Sequence, residues 1–215
     1  MSEDDGALRI VFDFGGVLFN WQPQMLVQRF LPRQATDAAS TRALVDSVFQ
    51  GFGGDWAQFD RGVLDGPQLV RRIAARTGLD AAEVAALVDG VPRSLTPRPD
   101  TVDLLRRLRA AGVRLHFLSN MPRPYAEHLD RSHPDLMGHF RSGLYSSHVR
   151  LIKPEAELYE LAGRCFAAAA DRLVLLDDIA ANVDAARAIG WKALQFIDAR
   201  TCEQALRANG WWPGE

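Results

Sequence analysis

The sequence lacks most features that mark membrane, secreted or nucleic-acid-binding proteins. Its hydrophobic runs are all short, and charge or glycine interrupts each one before it reaches the length of a membrane helix. Cys165 and Cys202 are its only cysteines, and we expect them to be small core residues, because they form no metal-ligand spacing and a reducing cytoplasm disfavours a disulfide. The net charge is −2 and no basic run stands out, which argues against a nucleic-acid partner. The amino-terminal segment is acidic where a secretory leader would be basic, so we expect a cytoplasmic protein.

The sequence does contain enough apolar residues, 47% of 215, to bury a sizeable core. An apolar run over residues 10–12 leads directly to Asp13 and then to Gly15 and Gly16. The run predicts a buried parallel strand that presents Asp13 at its carboxyl end, where open α/β sheets bind ligands. Taken alone, the stretch also fits a simpler interpretation, in which Asp13 caps a turn and the glycines reverse the chain.

Residues 22–92 have a helical pattern throughout. Apolar residues recur there at intervals of three and four, and glycine-rich stretches separate the successive helices. The region contains no alternation typical of a strand. We therefore predict a small helical insert over residues 22–92, and a core domain formed by residues 1–21 and 93–215.

Strands and helices alternate again after residue 93. Strands are predicted over residues 113–118, 143–146, 172–176 and 192–197, with helices over 99–111, 122–133, 154–166 and 180–189 and near 202–208. The alternation indicates an α/β protein with a Rossmann-like parallel sheet. Near the carboxyl end, Trp211 and Trp212 are expected to pack against the core or a partner.

Polar residues follow three of the predicted strands. Asp13 follows the first, Ser119 and Asn120 follow the second, and Asp177 and Asp178 follow the strand over residues 172–176. Because the carboxyl ends of parallel strands lie at one edge of the sheet, these side chains should converge on one crevice. Two adjacent carboxylates repel each other unless a cation lies between them, which favours a metal site. Phosphoryl transfer needs such a cation, because a carboxylate nucleophile repels a phosphate.

The strand-end residues belong to four short motifs. They are Asp13-Phe14-Gly15-Gly16-Val17, Leu118-Ser119-Asn120, Lys153-Pro154 and Asp177-Asp178-Ile179-Ala180-Ala181-Asn182. In order and spacing this set resembles the motifs of the haloacid dehalogenase-like hydrolase superfamily, and residues 22–92 resemble its small helical cap. Within the superfamily, the chain is most similar to the sugar-phosphate phosphatase-like group, which includes the phosphatase domain of soluble epoxide hydrolase. The resemblance covers nearly the whole chain.

This resemblance implies a nucleophile and a magnesium site. Asp13 resembles the nucleophile that forms an aspartyl-phosphate, and it also resembles a ligand of Mg²⁺. The backbone carbonyl of Gly15 and the carboxylate of Asp178 are similar to further ligands. Asp177 resembles either another ligand or a carboxylate that supports the ligands.

The resemblance also implies a phosphate-binding set. Lys153 is similar to the lysine that neutralises the charge of the nucleophile and of the phosphate. Ser119 resembles a hydrogen-bond donor to the phosphate, and Asn120 resembles a residue that positions substrate or nucleophile. Gly15 and Gly16 resemble the loop that approaches the phosphate. The remaining polar residue, Asn182, is similar to one that orients the lysine or the metal ligands.

One position departs from the phosphatase pattern. The family's phosphatases carry a second aspartate, which protonates the leaving group, where this chain has Gly15. Three interpretations remain open: slow phosphatase activity with water or a cap residue as the proton source, metal-independent cleavage of a 2-haloacid, or a weakly active protein that binds a ligand. A dehalogenase holds its substrate carboxylate with a cap arginine, and the available arginines are Arg29, Arg33, Arg42 and Arg61.

We therefore expect a Mg²⁺-dependent phosphatase that acts on a small phosphorylated metabolite such as a sugar phosphate. No nucleic acid or membrane partner is expected, and the chain is predicted to be a monomer or homodimer. Residues around the predicted cap are expected to determine the substrate; they are Trp21, Phe52, Trp56, Phe59 and Arg61.

Overall fold

A computed structural model describes residues 6–212, and a five-stranded sheet lies at their centre. The strands are β1 (Arg9–Phe12), β2 (Arg114–Ser119), β3 (Ser142–Tyr145), β4 (Leu173–Asp177) and β5 (Lys192–Gln195). They are all parallel, in the order β3-β2-β1-β4-β5. The predicted α/β class with a Rossmann-like parallel sheet is confirmed.

Helices fill the connections between the strands. Six lie between β1 and β2, and the first five of them are α1 (Pro23–Phe30), α2 (Ala38–Phe49), α3 (Asp55–Asp60), α4 (Gly66–Thr77) and α5 (Ala81–Ser94). The others are α6 (Pro99–Ala110), α7 (Arg123–Ser132), α8 (Pro134–Met137), α9 (Ser146–Val149), α10 (Ala156–Cys165), α11 (Ala180–Ala188) and α12 (Ala199–Ala208). Short 3-10 helices cover Gly51–Gly53 and Ala170–Arg172.

The two central strands place the polar residues that follow them side by side. Every residue of β1 and β4 is buried, which fits strands covered on both faces. The backbone N–H of Asp13 donates to the carbonyl of Leu176 at 2.9 Å, so the ladder extends one residue past β1. Asp13 thus lies directly beside the end of β4. Buried Arg9 was not expected in an apolar strand, and its guanidinium donates to the carbonyls of Phe166 and Ala167.

The helical insert contains helices α1 to α5, and its limits as a domain stay a prediction. Aspartate caps define several helix starts, as at Asp37 and Asp65, where the N3 side chain reaches back to the cap backbone. Its last helix, α5, continues for two residues past Pro92. A proline inside a helix cannot donate to the carbonyl four residues earlier, here that of Val88. The hydroxyl of Tyr125 on α7 donates to that carbonyl instead, at 2.7 Å.

Two details of the core differ from the sequence-based predictions. Cys202 is a buried free cysteine as expected, but the prediction for Cys165 was wrong, because this residue at the end of α10 is exposed. Glu155 has an extended backbone, with ψ at 128°, so α10 begins at Ala156 and Pro154 lies in the preceding loop. The two tryptophans near the carboxyl end pack against the main hydrophobic core, as predicted.

The structure also bears on membrane insertion. No helix within residues 6–212 is long and apolar enough to cross a membrane. Most of the acidic amino-terminal segment, from which we predicted the absence of a leader, lies outside the described residues.

Candidate active site

Three carboxylates meet where β1 and β4 end. Asp13, Asp177 and Asp178 each offer one oxygen atom, and these atoms lie within 4.8 Å of one another. Such crowding opposes ionisation. Burial, together with the charge of Asp177, raises the pKa of Asp178 to about 6.

Buried Lys153 provides the positive charge nearest to this cluster. Its Nζ lies 2.8 Å from Oδ1 of Asp13 and 2.6 Å from Oδ2 of Asp177, and it donates to the carbonyl of Leu118 at 2.9 Å. The ammonium group therefore uses all three of its protons. Burial alone would lower the pKa of Lys153, but the two carboxylates outweigh burial and raise it.

The Asp177 side chain is fully buried and supports its neighbours. Its Oδ1 accepts from the backbone N–H of Ile179 at 2.9 Å, and its two oxygens lie 2.9 and 3.1 Å from Nδ2 of Asn182. With Lys153 on Oδ2, both oxygens already have donors. Asn182 thus orients the carboxylate that in turn holds the lysine.

Asn120, which follows β2, holds the loop that carries the lysine. Its Oδ1 accepts from the backbone N–H of Lys153 at 2.8 Å, and its Nδ2 donates to the carbonyl of the same residue at 3.0 Å. The pair of bonds fixes the backbone of Lys153 relative to β2, so Asn120 contributes to the position of the ammonium group.

The two oxygens of Asp13 have different surroundings. Oδ1 accepts from the backbone N–H of Phe14 at 2.6 Å and contacts Lys153, whereas Oδ2 has no hydrogen-bond partner in the described part of the chain. Burial raises the pKa of Asp13; Lys153 opposes this shift, and the charges of Asp177 and Asp178 reinforce it. One ammonium group does not balance three carboxylates, so the site has an affinity for further positive charge.

The adjacent glycines have different environments. Gly16 has a left-handed backbone, with φ at +76°, and a Cβ atom there would lie 2.2 Å from Oδ2 of Asp178. At Gly15, whose φ is not in this region, a Cβ atom would meet only Trp21, at 3.6 Å. Arg98 donates to the carbonyl of Gly16 at 2.5 Å and anchors the turn. Gly16 therefore makes room for the Asp178 carboxylate.

The carboxylate cluster fits a divalent cation. Oδ1 of Asp178 is buried and has no hydrogen-bond partner, which is costly unless a cation or a water molecule binds it. Oxygen ligands from carboxylates are the ones that Mg²⁺ prefers. Asp13 and Asp178 are the better placed ligands, because the oxygens of Asp177 already accept hydrogen bonds.

A cavity of about 200 Å³ opens above the cluster. The polar residues that line it are Asp13, Asp60, Asn120, Lys153, Asp178 and Asn182. The remaining wall is almost entirely apolar and contains the residues Gly15, Trp21, Phe49, Gly51, Phe52, Trp56, Ala57, Val91, Leu95, Met121, Pro122, Tyr125, Ile152 and Ile179. Core and helical insert both contribute to this wall.

A family model for haloacid dehalogenase-like hydrolases matches residues 9–190. The chain belongs to this family. One protein similar to this chain is the sesquiterpene phosphatase astK of Aspergillus oryzae. The two are 29% identical over 204 residues, which is 93% of this chain and 95% of the relative.

Solved structures of the family share the fold. HAD family enzyme bt-2542 of Bacteroides thetaiotaomicron, in complex with magnesium and inorganic phosphate, has a TM-score of 0.68 at 18% identity, over 90% of this chain and 96% of that chain. The L-2-haloacid dehalogenase RSc1362 has a TM-score of 0.71 at 22% identity, over 94% of this chain and 99% of that chain. These comparisons show that the chain shares the fold of both enzymes.

Most of the predicted site residues come together in this haloacid dehalogenase-like fold. Asp13, Gly15, Asn120, Lys153, Asp178 and Asn182 line the cavity. Asp177, Gly16 and Ser119 are not part of its lining; Asp177 is fully buried, and Ser119 is the buried last residue of β2. The roles that the resemblance implies for these residues remain predictions.

The predicted cap residues separate into two groups. Trp21, Phe52 and Trp56 line the cavity, whereas Phe59 and Arg61 do not. Arg61 instead forms an ion pair with Glu155. The other candidate arginines, Arg29, Arg33 and Arg42, are exposed. No arginine within residues 6–212 lines this cavity.

Three further residues line the cavity but were not predicted as site residues from the sequence; they are Phe49, Asp60 and Tyr125. Phe49 connects the two predicted tryptophans, with ring centroids 5.3 Å from Trp21 and 4.5 Å from Trp56. A signal for Asp60 was present, because it lies four residues after Trp56 and therefore on the same face of a short apolar helix. A carboxylate on an apolar helix face is unusual enough to mark a site.

Proposed function

We propose that this chain is a Mg²⁺-dependent phosphatase that acts through an aspartyl-phosphate on a small phosphomonoester. The observation that supports it best is the asymmetry of Asp13, whose Oδ1 is held by Lys153 and Phe14 while Oδ2 has no partner. A carboxylate held in this way has one oxygen free to attack phosphorus.

The chain's own residues then have separate tasks. Oδ2 of Asp13 attacks phosphorus in line with the leaving oxygen, and Lys153 holds the attacking carboxylate in place. Water later hydrolyses the aspartyl-phosphate. A bound Mg²⁺ supplies the positive charge that lets a phosphate dianion approach a carboxylate, with Asp13, Asp178 and the carbonyl of Gly15 as its proposed ligands.

The cavity wall supports an apolar organic group on the substrate. Apart from the polar residues named above, the lining consists of aromatic and aliphatic side chains such as Trp21, Phe49 and Trp56, and it contains few hydrogen-bonding groups. A sugar phosphate, which the resemblance led us to expect, would bury its hydroxyl groups there without partners. The name of the Aspergillus oryzae relative, a sesquiterpene phosphatase, also favours an apolar alcohol.

The alternatives that the sequence left open have weaker support. A dehalogenase of the expected type needs an arginine in the cavity wall, and the candidate arginines lie elsewhere. The carboxylate pair Asp177 and Asp178 also fits a metal-dependent reaction better. A pure binding role does not explain why Lys153 is buried against Asp13.

Phosphate release from p-nitrophenyl phosphate, with Mg²⁺ and with a chelator, tests this proposal. We expect activity that requires Mg²⁺ and that Asp13→Asn abolishes while the far-UV circular dichroism spectrum is retained. A prenyl monophosphate should be hydrolysed with a higher kcat/KM than glucose 6-phosphate. Halide release from 2-chloropropionate without metal, or full phosphatase activity in Asp13→Asn, would contradict the proposal.

A further inference from the structure

One carboxyl group in the cavity wall is not part of the hydrogen-bond network around Lys153. Asp60, the last residue of α3, lines the cavity together with Asp13. It is not a member of the carboxylate cluster that fits a cation. Within residues 6–212 no hydrogen bond or ion pair holds its carboxyl group, so the group is free to face a ligand.

The backbone at Asp60 is firmly attached to the core. The hydroxyl of Ser146 donates to the Asp60 carbonyl at 2.6 Å, and the Oγ atom of Ser146 accepts from the backbone N–H of Met121 at 2.8 Å. Asp60 is thus tied, through one serine, to the loop that follows β2.

The next two residues strengthen this attachment. Arg61 donates to a carboxylate oxygen of Glu155 at 2.8 Å and to the carbonyl of Arg150 at 3.1 Å. Gly62 has φ at +73°, and a Cβ atom there would lie 2.8 Å from the carbonyl oxygen of Ser147. Three consecutive residues of the insert therefore contact the core, which gives Asp60 a defined position relative to Asp13.

The surroundings of Asp60 favour its protonated form. Burial, together with the negative charge of Asp13, raises the pKa of Asp60 to about 8, although Lys153 acts in the opposite direction. The neighbouring Tyr125 carries no charge near neutral pH, since burial raises the pKa of its hydroxyl well above the usual value. A carboxyl group that stays neutral at the working pH can donate a proton.

We propose that Asp60 donates a proton to the leaving oxygen when Asp13 attacks phosphorus. Asp60 would replace the acid for which position 15 has no side chain. The inference rests on the proposed phosphatase function and adds the group that this function lacks. An in-line displacement puts the leaving oxygen on the side of phosphorus away from Asp13, and Asp60 lines the cavity from α3 rather than from β1.

The two chemical steps balance with Asp60 as the donor. In the first, a bond forms between Oδ2 of Asp13 and phosphorus, the bond from phosphorus to the leaving oxygen breaks, and the Asp60 proton moves to that oxygen to give the alcohol. In the second, water attacks phosphorus and gives one proton to the Asp60 carboxylate, while the bond from phosphorus to Asp13 breaks. The products are the alcohol and hydrogen phosphate, and both carboxyl groups return to their starting states.

Leaving-group dependence tests this role. A series of aryl and alkyl phosphates with Mg²⁺ should give a shallow decline of log kcat/KM with leaving-group pKa in the wild type, because a protonated leaving oxygen departs easily. In Asp60→Asn we expect a steeper decline, with a loss of about 10² to 10⁴-fold for alkyl phosphates and a much smaller loss for p-nitrophenyl phosphate. The p-nitrophenyl activity that remains also reports that the variant is folded.

A matched control and a rescue sharpen the experiment. Asp55 begins the same helix, forms ion pairs with Arg72 and Arg76 and does not line the cavity, so Asp55→Asn should keep the wild-type slope. Adding Gly15→Asp to Asp60→Asn should restore alkyl phosphate hydrolysis, since position 15 has space for a Cβ atom.

Two results would overturn the role of Asp60. One is an equal loss for all leaving groups in Asp60→Asn, which indicates a structural effect; the other is an unchanged slope. Failure of the underlying function looks different: the wild type would then not hydrolyse p-nitrophenyl phosphate, or Asp13→Asn would still do so.

Discussion

Gly16 illustrates how a residue without a side chain contributes to the candidate metal site. Its left-handed backbone disfavours any side chain, and the space that a Cβ atom would occupy belongs to the Asp178 carboxylate. Gly78 offers a matched comparison, because its φ is +72° and no atom lies within 4 Å of a Cβ atom placed there. The two glycines share the backbone requirement and differ in the contact with Asp178.

We therefore predict different effects for Gly16→Ala and Gly78→Ala. Each should lower the free energy of unfolding by about 1–2 kcal/mol, because alanine is strained in a left-handed conformation. Only Gly16→Ala should also weaken Mg²⁺ binding, by at least about tenfold, since it displaces a proposed ligand. Isothermal titration calorimetry with Mg²⁺ measures this; equal affinities in the two variants would contradict the assignment of Asp178.

Some residues of the site could be predicted from the sequence, and others could not. Asp13, Asn120 and Asp178 directly follow strands, so strand-end geometry placed them correctly at one edge of the sheet. Asp60 could not be placed in this way, because its position depends on how α3 docks on the core through Ser146. Its place on the same face of α3 as Trp56 marks Asp60 as unusual, but contacts between segments distant in the chain leave no local signal that would place it beside Asp13.

Helix α5 depends on a residue outside the helix for one of its backbone hydrogen bonds. Pro92 leaves the carbonyl of Val88 without its helical donor, and the hydroxyl of Tyr125 takes that place. We predict that Tyr125→Phe lowers the free energy of unfolding by about 1–3 kcal/mol, because a buried carbonyl loses the hydroxyl that replaces its helical donor. Chemical denaturation monitored by tryptophan fluorescence measures the change.

A double-mutant cycle tests the cause of that loss. Pro92→Ala restores an N–H group that can donate to Val88, so Tyr125→Phe should cost less in the Pro92→Ala background than in the wild type. Equal costs in both backgrounds would indicate that the Tyr125 hydroxyl stabilises the protein in some other way.

Periodicity predicted the existence and type of these elements better than their limits. Apolar runs predicted β1, β2 and β4, because buried parallel strands read as short apolar runs. Strands were also predicted at β3 and β5, where the residues are partly polar and only partly buried. Periodicity did not place the start of α10, where Glu155 keeps an extended backbone, and it did not reveal that Cys165 faces solvent. A residue near a helix end is buried or exposed according to packing, not according to its own type.

The candidate site lies where the helical insert meets the sheet. Asp60 and the aromatic residues of the insert share one cavity with Asp13, and Arg61 pairs with Glu155 across the junction. A ligand in this cavity would contact both parts, so its binding should stabilise the molecule as a unit. The exact limits of the insert as a separate domain, and the choice between monomer and homodimer, stay predictions.

Cation binding and stability should be linked through pH. The folded-state pKa of Asp178, about 6, lies above the value of about 3.9 expected in the unfolded chain. Between these pH values the folded state therefore binds a proton that the unfolded chain has lost. The contribution of this proton to the free energy of unfolding is lost as the pH rises through about 6. A cation must displace this proton at low pH and need not do so at high pH.

We accordingly predict that Mg²⁺ raises the Tm more at about pH 8 than at about pH 5, where the same Mg²⁺ concentration competes with protons for the carboxylates. Differential scanning fluorimetry with Mg²⁺ and with a chelator, at both pH values, measures the two shifts. Asp178→Asn should reduce the shift at the higher pH, because it removes a charged ligand. A Mg²⁺ shift that is as large at low pH as at high pH would mean that the cation binds away from the carboxylates of Asp13 and Asp178.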